Sequence, residues 1–392
     1  MMLGLLLARA GVDVVVLEKH ADFLRDFRGD TIHPSTLDVM DELGMLEDFL
    51  KQPHQKVTQL SGKMGEATVT VADFTHLPTR CKFLVFMPQW EFLNFLAGRA
   101  KQFPTFRLQT QARVEEILWD GERVAGVRAQ TPDGPLEVRA DLTFAADGRD
   151  SVLRDRAKLD VVEMGAPMDV LWLRLTKFPD DPHDTFGYIR DGRILALIDR
   201  GDYWQCAYVI PKGTLAGLHE RGLEAFRQVI RRTVPFLGDR VNEVSEWADV
   251  RLLTVRLNRL RRWYRSGLLC IGDAAHAMSP IGGVGINLAI QDAVAAANIL
   301  GPRLLRGSAR MEDLHRVQRR REFAARATQM LQMLVQRHVI GRVLFNERAP
   351  LLGYLPAVAR RLPFLSRIPA RLVGLGLRRE HVVIRNARPR SD

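Results

Sequence analysis

Apolar and polar positions along the chain follow two periods. Residues 1–10 are apolar and stop at Gly11 after Arg9 and Ala10, as a helix does at a glycine. The β-branched run 12–17 follows and ends in Glu18. Runs of that kind predict a strand buried in a parallel sheet. Residues 140–146 form a short apolar strand running into Asp147 and Gly148, with Ser151 placed to cap a following helix. Between 161 and 262 the pattern changes: 171–175, 186–189 and 204–211 read as short, alternating, aromatic-rich strands. Residues 267–271 predict a further buried strand, and a long alanine-rich helix covers 283–300. From 301 to 345, Leu314, Val317, Phe323, Leu331, Leu334 and Val335 recur at helical spacing with arginines between them. Beyond Pro350 short apolar stretches mix with arginine and proline, which suits helices lying on a surface.

These elements make an α/β chain. At roughly 150 residues per domain, 392 residues suggest two or three domains. The expected division is a discontinuous nucleotide-binding unit (1–65, 82–160 and 263–300), a sheet domain (66–81 and 161–262) and a C-terminal basic helical segment (301–392). A composition of 46% hydrophobic and 26% charged residues excludes wholesale disorder and fibrous classes.

The net charge of +11 invites a nucleic-acid or membrane partner, but it is local. Residues 301–392 hold 20 arginines and six acids, +14, while the other 300 residues sum to −3. The bland account is a helical cap with a solvated basic face. The sharper one is a peripheral contact with a membrane surface. No nucleic-acid recognition module is evident, so no nucleic-acid partner is expected. Cys81, Cys206 and Cys270 are odd in number and far apart, without metal-ligand or redox spacing. Reduced, buried thiols in a cytoplasmic protein are expected, and no metal site. The N-terminus lacks the basic region and cleavage site of a signal peptide, and no run of about 20 apolar residues is seen.

The chemistry concentrates in 267–293. A strand ends in Gly272-Asp273, small residues follow, and Pro280 with Gly282, Gly283 and Gly285 opens the long helix. Glycines let backbone approach a flat ligand, and a helix N-terminus favours an anion. The helix, glycine turn, strand and acid of residues 1–18 read as the second half of a dinucleotide-binding βαβ unit, in which Glu18 would bind a ribose.

With these motifs the chain resembles the FAD-dependent aromatic hydroxylases of the p-hydroxybenzoate hydroxylase type over nearly its whole length. The resemblance implies a Rossmann-like FAD-binding domain, an inserted antiparallel β-sheet substrate domain and C-terminal helices. It implies that Asp273 binds the flavin ribityl chain, that Asp147 and Gly148 lie near the pyrophosphate, and that Glu18 binds the adenosine ribose. Arg28 and Gln89 are implied as cofactor contacts. Pro280, Gly282, Gly283 and Gly285 would lie against the isoalloxazine, and Gly272 and Asn287 of the same motif are implied as further cofactor-binding residues. The family's first strand and G-x-G-x-x-G turn have no counterpart in this sequence. A start assigned too far downstream is the expected reason, with a real truncation as the alternative.

The implied reaction uses NADH or NADPH, FAD and O2 to hydroxylate an aromatic, quinone-like or polyketide compound through a flavin C4a-hydroperoxide. Dehydrogenation without oxygen insertion, or a non-catalytic flavoprotein, are the other readings. Trp172, Tyr188 and Trp204 are candidates to line the substrate pocket. His276 is a candidate acid or base whose more ordinary role is structural. His33 reads as a loop histidine with a solvent or backbone partner. Flavin-dependent halogenases carry W-x-W-x-I-P; the frame ending at Ile210-Pro211 has no tryptophan in either signature position, which disfavours halogenation.

Overall fold

A computed structural model describes residues 1–24, 31–182, 186–307, 309–345, 357, 361–384 and 386. The N-terminal helix Met2–Arg9 buries Leu5, Leu6 and Leu7, and Gly11 turns the chain at φ 88°. Strand Val14–Leu17 then pairs in parallel with Phe106–Gln109. It was expected to be buried, yet Val15 is 38% exposed. The reason is topological: its other edge meets no strand among the described residues.

A second parallel pair, Thr143–Ala145 and Leu268–Cys270, sends two turns out of adjacent C-terminal strand ends, where nucleotide-binding sheets place ligands. The helix Val284–Leu304 runs through the main core, with Ala293, Val294, Ala296, Ala297 and Leu300 buried in it. Against the expectation that nothing is long and apolar enough to cross a bilayer, Ile281–Leu304 meets both conditions. Most of that stretch is buried inside the protein, where a helix apolar all round belongs.

The inserted sheet has seven strands in the order Arg251–Leu253, Met168–Thr176, Tyr203–Pro211, Arg193–Asp199, Phe186–Arg190, Gln59–Met64 and Ala67–Asp73. Strand Gln59–Met64 therefore belongs to the sheet, although the expected boundary at 65/66 left it outside. It pairs in parallel with Phe186–Arg190, an exception in an otherwise antiparallel sheet.

Because side chains alternate faces, the sheet has two unlike surfaces. Leu171, Leu173, Leu175, Leu195, Leu197 and Tyr208 form one packed core with Phe226 and Ile230 of helix Leu223–Thr233. Met168, Val170, Trp172 and Ala207 face the other way, where Ile281 and the C-terminal Ile340 and Leu344 pack on them.

The three cysteines are buried and free, as expected. Burial pushes the Cys206 thiol up, and takes Cys270 to about 12.

Behind the sheet, Arg240 pairs with Asp181, Nη2 donating to Oδ1 at 2.9 Å, and the Trp204 indole N–H donates to Asp181 Oδ2 at 2.9 Å. All three residues are buried. Removing one partner leaves a buried charge uncompensated, typically at about 3–5 kcal/mol. Arg240→Met should lower the unfolding free energy by that amount in denaturant titration. The specific activity of the folded fraction should be unchanged, since the pair lies on the face away from the glycine turn.

Candidate functional site

The site gathers where the two turns leaving the parallel pair meet the glycine-rich turn. Asp147 follows the first strand, and its carboxylate accepts from Leu153 N–H at 3.3 Å. Ser151 caps the short helix Val152–Arg156, as expected, by accepting from Arg154 N–H at 3.1 Å. Arg149, which the sequence reading missed, reaches across so that its guanidinium lies 3.6 Å from Asp273 Oδ2. The Asp-Gly and Gly-Asp turns thus face one another across an arginine–carboxylate contact.

Gly272 has φ +59°, and a Cβ there would stand 2.9 Å from Ala289 Cβ. The turn requires glycine, both to reach the left-handed region and to let the core helix approach. Gly272 N–H donates to Asp292 Oδ2 at 3.1 Å. The same carboxylate accepts from His276 Nε2 at 2.6 Å and, on Oδ1, from Arg321 Nε at 2.9 Å. Burial pushes the Asp292 carboxyl up, but His276 and Arg321 outweigh it and hold it below its ordinary value. His276 is 1% exposed and its ring lies 4.8 Å from Trp263. It braces the turn from behind through Asp292.

The second turn, Ile281–Gly283, precedes the core helix. Gly283 has φ +61°, and a Cβ would come 2.9 Å from Thr31 Oγ1. Asn287 binds this turn to the chain after the undescribed segment: its Nδ2 donates to Gly283 O at 3.2 Å and Thr31 O at 2.9 Å. Its Oδ1 accepts from His33 N–H and Thr36 Oγ1, both at 2.8 Å. Gly285 stands beside Asp273, so the two glycine turns share one cradle. Pro280 is half-buried at the lip of the second turn.

His33 is buried and donates from Nδ1 to Val373 O at 2.7 Å, the backbone partner expected for it. Its Nε2 points to the glycine turn, 3.6 Å from where a Gly283 Cβ would stand. Burial pushes its pKa down to about 4, against the pull of the Val373 and Gly282 carbonyls.

Glu18 sits half-buried just past its strand and accepts from His20 N–H at 3.0 Å. Gln89 opens the helix Gln89–Ala100. Arg28 lies outside the described residues. Of the three aromatic candidates, Trp172 alone faces the glycine turn; Tyr188 and Trp204 pack in the core on the opposite face. Strand alternation separates them, since positions 172 and 207 share one face and 188 and 204 share the other.

The helix Met311–Val335 lies within the helical stretch expected over 301–345, but sequence reasoning missed its glutamines, which clamp the site. Gln332 accepts from Ser279 N–H at 3.1 Å and donates to Ser279 O and Ile281 O, each at 3.0 Å. Gln329 donates to Asn258 O at 2.8 Å and Ala277 O at 3.1 Å. Of the expected apolar face, Leu314 and Val317 are buried in the main core, whereas Phe323, Leu331 and Leu334 are 50%, 39% and 49% exposed.

A sequence profile described as the FAD binding domain matches residues 1–332. The chain is 35% identical over 334 residues to the 6-methylpretetramide 4-monooxygenase of Streptomyces rimosus, an overlap of 84% of this chain and 79% of that protein. The chain belongs to the FAD-dependent aromatic hydroxylases. This hydroxylase is also 24% identical over 336 residues to the para-nitrophenol 4-monooxygenase of a Pseudomonas species, covering 82% of this chain and 80% of that one. Its fold superposes on the OxyS anhydrotetracycline hydroxylase of Streptomyces rimosus with a TM-score of 0.72, over 95% of this chain and 73% of the other, at 23% identity.

FAD is the cofactor of the hydroxylase and NAD(P)H the reductant. The residues present fit a flavin: a carboxylate and an arginine face each other for its polar chain, and two left-handed glycines bare backbone for its flat ring.

The His33 shift has a definite sign. The folded state releases its proton near 4 and the unfolded state near 6.5, so the unfolded state binds more protons between. The contribution is full above 6.5 and disappears as pH falls toward 4, with about 2 kcal/mol gone by pH 5. Unfolding free energies at pH 7 and pH 5 should therefore differ more in the native protein than in His33→Gln. Equal differences would refute the assignment.

Proposed function

We propose that this FAD-dependent monooxygenase hydroxylates a flat, polycyclic aromatic compound of the polyketide or quinone class. The observation that carries the reading is the sheet face beneath the glycine turn. Trp172 stands in register with Ala207, Ala207 with Ala196, Ala196 with Gly187, and Gly187 with Gly62. Four strands in a row thus present no side chain larger than a methyl group. At about 4.8 Å per strand, the lane beside Trp172 runs about 14 Å. A Cβ on Gly187 would meet nothing within 4 Å, so the space above it is open. Neighbouring Ile194, Ile198 and Val209 are only half-buried, unlike the sealed opposite face. A rigid ring system loses little entropy on entering such a slot, and the indole of Trp172 offers it a stacking wall.

When bound, FAD would supply the redox chemistry, accepting a hydride from NAD(P)H and activating O2 so that one oxygen atom enters the substrate and the other leaves as water. Asp273 and Arg149 would hold the polar chain of the cofactor, and the backbone of Gly282 and Gly283 would lie against its ring. The N-terminus of helix Val284–Leu304 brings partial positive charge to that end. Ile281, Ile340 and Leu344 close the sheet side against water, which favours oxygen transfer over loss of the reducing equivalents.

The same reading places the enzyme in the cytoplasm with a peripheral contact to anionic membrane, where a lipophilic substrate collects. On helix Met311–Val335, Phe323, Met330 and Leu334 are exposed and, at 100° per residue, fall in one line. Exposed Arg319, Arg326 and Arg337 flank that line. An apolar stripe edged by arginine is complementary to anionic headgroups and repels a second copy of itself.

Two experiments test the reading. In a screen of polycyclic phenols and quinones, NAD(P)H consumption should rise and 18O from 18O2 should appear in product. Gly187→Leu should then raise KM by at least about tenfold without lowering the melting temperature, because the position is open and free of backbone strain. Product without label would overturn oxygen insertion. Separately, the native chain should sediment with phosphatidylglycerol vesicles and remain free of phosphatidylcholine vesicles. Equal sedimentation of the Phe323→Glu/Met330→Glu/Leu334→Glu variant would end the membrane assignment.

A further inference from the structure

Residues 378–384 lie across three helices, Pro34–Glu42, Val284–Leu304 and Met311–Val335, and each holds them by side chains. From helix Pro34–Glu42, Asp38 pairs with Arg379 at 3.0 Å, and Glu42 pairs with His381 and accepts from Val382 N–H at 2.7 Å. From the core helix, Gln291 accepts from Glu380 N–H. Asn298 accepts from the amides of Val383 and Ile384, both at 3.0 Å, and donates to His381 O at 2.8 Å. Ile384 packs so closely on Gly301 that a Cβ there would come within 2.3 Å of its Cδ1.

From the arginine-rich helix, Arg320 grips the Glu380 carboxylate through Nε at 2.8 Å and Nη2 at 3.2 Å. Arg321 is fully buried. It donates from Nη1 to Arg378 O at 2.9 Å and approaches Glu380 Oε1 at 3.4 Å. Its other face donates to Asp292, which holds Gly272 N–H and His276.

A continuous chain of buried charges therefore runs from the C-terminal segment to the flavin-binding turn: Glu380, Arg321, Asp292, then Gly272 and His276. A guanidinium wholly removed from water needs its partners on both sides. Asp292 can hold the turn in one geometry only while Arg321 is fixed, and Arg321 is fixed by Glu380 and the Arg378 carbonyl.

We propose that residues 378–384 act as a clasp on the cofactor, with Glu380 and Arg321 positioning the Gly272-Asp273 turn through Asp292. None of the clasp residues touches the flavin-binding groups directly; they act by setting the one carboxylate that the turn's amide depends on.

The test uses full-length Glu380→Gln, which removes the charge and keeps the shape, and Asn298→Ala, which frees the end of the clasp without touching a buried ion pair. FAD affinity is read by fluorescence titration, and amide hydrogen exchange is followed without flavin. Both variants should bind FAD about tenfold more weakly, the loss of about one hydrogen bond. Both should exchange faster at residues 271–277, while amides of the distant strand Tyr203–Pro211 keep their native rates. Unchanged exchange at 271–277 in both variants would overturn the proposal. So would acceleration spread evenly over 271–277 and 203–211, which is plain destabilisation. Because exchange is read without flavin, it decides the clasp even where no protein, native or variant, binds FAD.

Discussion

The carboxylate of Asp292 is the point on which the site turns. It has no exposed surface, and its two oxygens serve a backbone amide, an imidazole and a guanidinium from three segments of chain. A buried anion of this kind is favourable only when every lone pair is used. That condition couples elements no local interaction would join: the turn of the parallel sheet, the helix behind it and the arginine-rich helix across it. Gly272 is pressed onto Ala289 one turn before Asp292. Backbone packing and charge satisfaction thus select the same geometry, and Asp273 is set opposite Arg149 as a consequence.

The parts of this arrangement legible in the sequence are those with a local cause. The glycine turns, the strand ends bearing Asp147 and Asp273, and the capping Ser151 follow from backbone conformations that few residue types permit. The parts that were not legible have non-local causes. The arginine-rich helix looks amphipathic from its leucines, yet the face it turns inward carries Gln318, Arg321, Gln329 and Gln332, because it packs on open carbonyls and amides that an apolar face would leave unsatisfied. Tyr188 and Trp204 have the composition of pocket residues, but strand register sends them to the opposite face. The exposure of Val15 depends on what lies along its free edge, which no property of the run 12–17 reveals.

The charge of the chain follows the same division. The body, near −3, carries the cofactor motifs, and the +14 of residues 301–392 is not simply a solvated face. Two of its arginines, Arg320 and Arg321, engage Glu380. Arg319 and Arg326 on the same helix point to solvent. One helix therefore uses one residue type for two purposes, decided by the face each position occupies. Arginine suits both, since its planar fork satisfies several acceptors at once when buried and stays charged when exposed.

The seven-stranded sheet separates stability from selectivity along every strand. Odd positions of Met168–Thr176 seal a core against helix Leu223–Thr233, while even positions from Met168 to Trp172 border the open side. A change at position 187, 196 or 207 alters the shape of the open face and leaves the opposite layer as it was. Enzymes built on such a sheet can drift from one ring system to another by single substitutions without first losing their fold. Divergent substrate preference among relatives of similar architecture is the evolutionary result that this geometry makes easy.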